Sequence, residues 1–206
     1  MWICTSIQGG KIIKFIGKGS AFNTEVGNTS AFVKQNSSLR LINCVGTVFH
    51  RLQELNLFDG LENLYIIVTH THPDHVGSLG EVIFYSYYIL KRRPIIYFPK
   101  KELIEGFLTS IGVNSEMYKL SSFEIIDEND MKIGKFSIEF LPVSHVDTIP
   151  AYGFIMRLSE KSFYYSGDAN NISVSVENRI MSGEIDKHIT NEEIREKGFN
   201  VVEVYK

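Results

Sequence analysis

The sequence predicts an α/β protein in which mixed sheets are covered by helices. Three observations carry this. Strand-like segments come in groups with helical segments between them, the pattern of sheets that bury one face under helices. NLYIIVT (63–69) is a short, continuous apolar run, as expected of a strand buried on both faces. KKELIEGFLTSIG (100–112) reads as a helix stopped by Gly112.

Taken in order, WICTSI and KIIKFIG read as two strands joined by a Gly9-Gly10 turn. GKGSAFN is a glycine-serine loop, and SAFVKQNSSLRLINC is a strand, a polar turn and a strand. VFHRLQEL has helical spacing, which makes His50 a structural helix residue. A helix is expected over Gly77–Leu90, stopped before Pro94, and PIIYF is the next strand. SSFEIIDE, KFSIEFLPV, AYGFIMRL and KSFYYSG read as four strands, the last two joined by a tight turn at Ser159–Lys161. Helices follow near Val174–Met181 and Asn191–Lys197, and NVVEVY is a final strand. Thr190 is an N-cap candidate with Glu193 at capping-box spacing. No repeat, low-complexity segment or linker interrupts the 206 residues, so one domain over 1–206 is expected.

A composition of 44% hydrophobic and 22% charged residues is ordinary for a globular protein, and the net charge of −3 gives no global positive field to attract nucleic acid. Cys4 and Cys44 stand far apart in apolar surroundings without metal-pair spacing, as reduced cysteines of a cytoplasmic protein do. No signal-peptide pattern is present, and no run approaches the roughly 18 apolar residues of a membrane span, so no membrane partner is expected.

The chemistry concentrates in VTHTHPDHVGSLG (68–80). His70 and His72 alternate by two at a strand end and so reach one point on the same side. Asp74 and His75 follow on a turn opened by Pro73 and approach a second point nearby. Imidazoles and carboxylates crowded this closely are poor core material unless paired or bound to metal. Nitrogen and oxygen donors without a thiolate suit zinc, with manganese or iron as alternatives.

HTHPDH matches the HxHxDH signature of the metallo-β-lactamase superfamily, and the chain resembles that family from roughly Lys14 to Asp168. The resemblance implies an αββα sandwich, two face-to-face mixed sheets flanked by helices, with a metal site at the sheet edge. It implies a later histidine, supplied by His145 in PVSHVDT, and a bridging aspartate, supplied by Asp168 in YYSGDAN. His70, His72 and His145 would hold one divalent ion, Asp74 and His75 a second, and Asp168 both. Asp74 would also orient the metal-activated hydroxide and accept its proton, the catalytic role in this set.

Within the superfamily, FIGKGSAFNTEVGNTSAFV, HVGSLG and SHVDTIPAYGFIM resemble the tRNase Z and phosphodiesterase-like branch. The chain departs from it at INCVG, where Asn43 replaces the branch's aspartate, and it lacks a long arm for gripping tRNA. Lys91, Arg92, Arg93, Lys100 and Lys101 are candidate phosphate contacts or, more simply, solvated helix ends. The segment after Asp168 (169–206) is shorter than the family's. Either His188 is the final ligand of the second metal, or the segment carrying that ligand is missing, with Glu184 an outside candidate. The second site is therefore expected to be partly filled. A lost strand would expose a sheet edge that a homodimer could cover.

These readings lead to an expected metal-dependent hydrolase, a dinuclear phosphodiesterase or nuclease-like enzyme acting on a small-molecule or nucleic-acid phosphodiester. Hydrolysis of a lactone, amide or thioester is the alternative, and a degenerate, weakly active homologue the second alternative.

Overall fold

A computed structural model describes residues 13–19, 22, 25, 27–130, 134–158 and 161–189 of the chain. The first sheet runs in the order β1-β2-β3-β4-β5-β6, built from β1 (Lys14–Gly17), β2 (Ser30–Gln35), β3 (Ser38–Ile42), β4 (Asn63–Ile67), β5 (Ile95–Tyr97) and β6 (Lys119–Ser121). Its first three strands are antiparallel, and β3 to β6 are parallel. The second sheet contains β7 (Ile125–Asp130), β8 (Gly134–Pro142), β9 (Tyr152–Leu158), β10 (Lys161–Tyr165) and β11 (Lys187–Ile189), in the order β11-β10-β9-β8-β7. It is antiparallel except for the parallel pair β10 and β11.

The sheets face each other across one hydrophobic core to which both contribute. The β-period decides what enters it. Phe154 and Tyr165 point between the sheets, while their neighbours Ile155 and Tyr164 point the other way, into a smaller outer cluster. On the inner side Phe154 stacks on Tyr165 with ring centroids 5.4 Å apart and meets Phe140 edge-on at 6.1 Å. Arg40 of β3 is fully buried, and its guanidinium lies 4.2 Å from the Phe136 ring of the opposite sheet, a cation–π contact between the two layers.

Helices cover the outer faces. α1 (Val48–Glu54), α3 (Leu79–Phe84) and α4 (Lys101–Ser110) bury Val48, Leu52, Val82, Ile83, Ile104 and Leu108 in the main core. Gly112, at φ +81°, ends α4 as the sequence suggests. α5 (Val174–Met181) begins where Ser173 Oγ accepts the Val176 N–H, and it packs Val176 against Ile155 and Tyr164 of the second sheet.

A polar clamp fixes α5 in place. Arg179 donates to both oxygens of Glu139 on β8 at 2.8 and 2.7 Å and to Glu184 at 2.7 Å. These hydrogen bonds hold the Glu139 carboxyl below its ordinary value of 4.5. A lowered carboxylate pKa contributes stability that is full above the unfolded value and is lost as pH falls through the folded one. Arg179→Ala should therefore lower unfolding free energy by about 1–2 kcal/mol at pH 7. That difference should shrink as pH falls from the ordinary glutamate range through Glu139's lowered folded value, below which the carboxyl is neutral in both states. Urea unfolding across that pH range checks this.

Three expectations are corrected. SSFEIIDE is not one strand: Lys119–Ser121 belongs to the first sheet and Ile125–Asp130 to the second. The chain changes sheets between them, and an apolar alternation carries no mark of such a change. The expected helix over Gly77–Leu90 is α3 continued by a wider π-type turn, Tyr85–Ile89. It is preceded by a separate short helix, α2 (Pro73–Val76), because Pro73 starts a new turn directly after the extended His72. Lys187–Ile189, given no element between the two expected helices, is the strand β11 and pairs with β10. The WICTSI strand, Cys4, most of the Ser159–Lys161 turn, the Thr190 cap, the Asn191–Lys197 helix and NVVEVY lie outside the described residues.

Candidate metal centre

The histidine-rich turn follows β4 directly. Tyr65, Ile66, Ile67 and Val68 are buried, so the strand delivers Thr69 and His70 into the gap between the sheets at their common edge. His72 occupies the N-cap of α2 in extended conformation, and Asp74 and His75 lie within that helix. The turn is held from below, because Cys44 N–H donates to the His75 carbonyl at 2.7 Å. A Cβ on Gly77 would lie 2.6 Å from the Pro73 carbonyl, which explains the glycine that closes α2.

The second sheet supplies the other residues. His145 follows β8, and its loop is clasped by Asn170, whose backbone N–H reaches the Ser144 carbonyl at 2.8 Å and whose side chain donates to the His145 carbonyl at 3.0 Å. Asp168 follows β10 after Gly167, which has φ +55° and sits so close to the neighbouring strand that a Cβ would lie 2.7 Å from the Tyr152 carbonyl.

Two groups of donors result. His70, His72 and His145 converge, with His72 Nδ1 lying 3.1 Å from His70 Nε2 and 3.2 Å from His145 Nε2. Ligands on a tetrahedral zinc at about 2.0–2.1 Å are about 3.3–3.4 Å apart. Burial first, then the neighbouring His75, pushes the His70 imidazolium down to about 3, with Asp168 opposing. The ring is therefore neutral near pH 7. A single proton on His72 Nδ1 can serve only one of its two short contacts, whereas a cation at the centre would serve all three. The donor set fits a metal ion on these grounds.

The second group joins His70, His75 and Asp168. His75 Nε2 lies 3.3 Å from Asp168 and 3.6 Å from Asp74. Burial opposes ionisation of Asp168, but the hydrogen bond and charge of His75, helped by His70 and His145, outweigh it and hold the carboxyl at about 2. Asp74 thus stands beside this second group, and His70 borders both. His188 and Glu184 belong to neither group: His188 is exposed on β11, and Glu184 is engaged with Arg179 and Arg157. Cys44 is no alternative ligand. Burial raises its thiol to about 12, and Sγ faces Ser78 Oγ at 3.6 Å. Three of the five basic residues, Lys91, Arg92 and Arg93, are not gathered here either. Lys91 to Arg93 precede β5, at the end of the sheet away from the histidines, and Arg93 donates to the Tyr118 carbonyl at 2.6 Å.

Sequence reasoning missed three residues that shape the centre. Asn43 lies 2.8 Å from His75 Nδ1, Thr69 Oγ1 lies 3.1 Å from His70 Nδ1, and Asn170 clasps the His145 loop. Only Asn43 left a trace, as a departure from the branch pattern.

This fold, with histidines and aspartates gathered at the common edge of two sheets, is that of the metallo-β-lactamase superfamily. The metallo-β-lactamase fold protein YhfI from Bacillus subtilis matches it with a TM-score of 0.61 at 19% identity, covering 75% of this chain and 61% of that one. Human tRNase Z, short form (ELAC1), matches with a TM-score of 0.60 at 16% identity, covering 85% of this chain and 76% of that one. The chain belongs to the family of Anti-Pycsar protein Apyc1, whose model matches residues 12–191. A curated relative of that description from Bacillus phage vB_BsuM-Goe3 is 38% identical over 178 residues, which is 75% of this chain and 66% of the relative. The chain spans about two thirds of the length of the curated relatives it matches, 66% for several of them.

Family membership corrects the function expected from the sequence. The expected dinuclear phosphodiesterase or nuclease-like enzyme gives way to a family defined by anti-Pycsar proteins. A shared fold does not specify a substrate. Among the described residues, no helix is long and apolar enough to cross a membrane.

Proposed function

We propose that this chain is an anti-defence protein that destroys a cyclic nucleotide signal by hydrolysis at the His/Asp centre. The observation that carries the reading is the family match over residues 12–191, which includes every residue of the two donor groups. Zinc suits the nitrogen-rich set, with His70, His72 and His145 as the ligands of one ion and Asp74, His75 and Asp168 as those of a second position. When bound, such an ion polarises a phosphoryl oxygen and lowers the pKa of water.

The chain's own residues supply the rest. Asp168, held ionised, places negative charge at the second position, beside His75. Asp74, partly exposed beside His75, is placed to orient the attacking water and take its proton. His145 and the exposed loop Val146–Thr148 form the rim that the nucleotide would meet. A homodimer fits the same reading, since Phe123 and the edge-strand residue Ile125 offer a second copy exposed apolar surface.

The test is direct. The full chain with added zinc or manganese is incubated with a panel of 3′,5′-cyclic purine and pyrimidine nucleotides, with a structured tRNA precursor as control. Conversion of at least one cyclic nucleotide to the linear monophosphate, with the precursor uncut, is expected. A metal-loaded protein that opens none of the panel would overturn the reading.

A further inference from the structure

We infer that Asn43 fixes His75 in the tautomer that cannot ligate through its site-facing nitrogen, so that the second cation position is weak by construction. The inference rests on the reading that the centre binds metal, but its central observation is a hydrogen-bond arrangement within the protein.

Asn43 ends β3 in the left-handed region, φ +59°, a conformation that asparagine and aspartate accept more readily than other side-chain-bearing residues. From there its amide reaches under the histidine turn. The backbone N–H of Thr69 lies 3.0 Å from Oδ1. A backbone N–H can only donate, so the atom it meets must be the oxygen, and the amide orientation is settled without reference to any histidine. Thr69 Oγ1 donates to the same oxygen at 3.1 Å. The remaining atom, Nδ2, faces His75 Nδ1 at 2.8 Å. An amide NH2 has no acceptor capacity, so His75 Nδ1 accepts. A neutral imidazole that accepts at Nδ1 carries its proton on Nε2. That nitrogen faces Asp168 at 3.3 Å and Asp74 at 3.6 Å, two carboxylates that welcome an N–H.

His70 is arranged in the opposite way. With its own proton given to Asn43, Thr69 Oγ1 offers a lone pair to His70 Nδ1 at 3.1 Å. His70 then carries its proton on Nδ1 and presents a bare Nε2 to His72 and His145. One asparagine, acting directly on His75 and through Thr69 on His70, thus gives one ring a ligating face and the other a protonated one.

For a cation to bond His75 Nε2, that proton must leave. It can go to solvent, which leaves an imidazolate, or be replaced by one on Nδ1, which then points at the Asn43 NH2. Turning the amide over only moves the conflict, because Nδ2 would then meet the Thr69 N–H. Aspartate removes it: one oxygen keeps the Thr69 N–H and the other accepts a proton from His75 Nδ1, leaving Nε2 bare. Asn43 is accordingly a positioning residue that acts through His75.

The experiment compares the full chain with Asn43→Asp and Asn43→Ser, all labelled with 15N-histidine. Long-range 1H–15N correlation of metal-free protein reads the tautomer of His75, and zinc titration by calorimetry with metal analysis reads each binding step. Metal-free wild type should show His75 protonated on Nε2, and N43D should show it protonated on Nδ1. N43D should bind a second zinc about 10–100-fold more tightly than wild type, with the first step unchanged. N43S, which replaces the donor-only amide NH2 with a hydroxyl that can also accept and adds no carboxylate, should fall between them. If metal-free wild type shows His75 protonated on Nδ1, or if N43D leaves the second step unmoved, the inference fails. If no zinc binds to wild type at all, it is the metal reading that fails, and the tautomer spectrum still decides the role of Asn43.

Discussion

Replacing His70 and His72 together by alanine should leave a folded protein that retains no tightly bound metal and, in the cyclic-nucleotide assay proposed above, turns over at least about 10³-fold more slowly, a loss of about 4 kcal/mol in transition-state stabilisation. Two of the three converging nitrogens disappear in this variant, and His145 alone cannot hold an ion against dialysis. The fold should survive because the sheets carry the core and the centre lies at their edge. The metal-free forms of variant and wild type should therefore unfold within about 1 kcal/mol of each other, the range of a substitution that leaves the core intact. Metal analysis after dialysis, followed by a rate measurement with zinc in excess, checks the expectation. A double variant that keeps one equivalent of metal would remove these residues from the ligand set.

The largest effect on stability should come from Phe154→Ala. Phe154 is fully buried, and its ring lies between those of Phe140, Phe163 and Tyr165. Its removal opens a cavity midway along β9, where strands on both sides limit relaxation. Large-to-small changes at such aromatic sites destabilise by about 3–5 kcal/mol, a large share of the roughly 5–15 kcal/mol typical of a whole domain. Denaturant unfolding of the metal-free protein measures it. A loss below about 1.5 kcal/mol would mean that the layers close over the gap, and that the ring does not determine how the sheets pack.

How much of this was legible in the sequence depended on how local each signal is. HTHPDH sits within one turn, so its spacing alone suggested one point reached by His70 and His72 and a second reached by Asp74 and His75; His70 lies with His72 in one donor group and with His75 in the other. His145 and Asp168 are common residue types after strands and became candidates only through resemblance to a family. Asn43 could be seen as a departure, but not as a neighbour of His75, because 32 residues and a parallel strand pairing separate them. β11 was missed because three residues, KHI, carry too little pattern to stand out. The split between β6 and β7 was missed because both sheets ask the same alternation of their strands. The biological role was the least legible part, since donor atoms that activate water are the same whatever the substrate.

The centre also has a mechanical side. Its histidines are contributed by both layers: His72 and His145 approach within 3.2 Å although 73 residues separate them along the chain. An ion held there is a reversible cross-link between the two sheets, absent from the unfolded chain. Ligand binding confined to the folded state adds about 2.7 kcal/mol of stability when the free ligand stands about a hundredfold above its dissociation constant. Scarcity of metal would then do more than silence the site: it would loosen the seam between the layers and shorten the life of the protein.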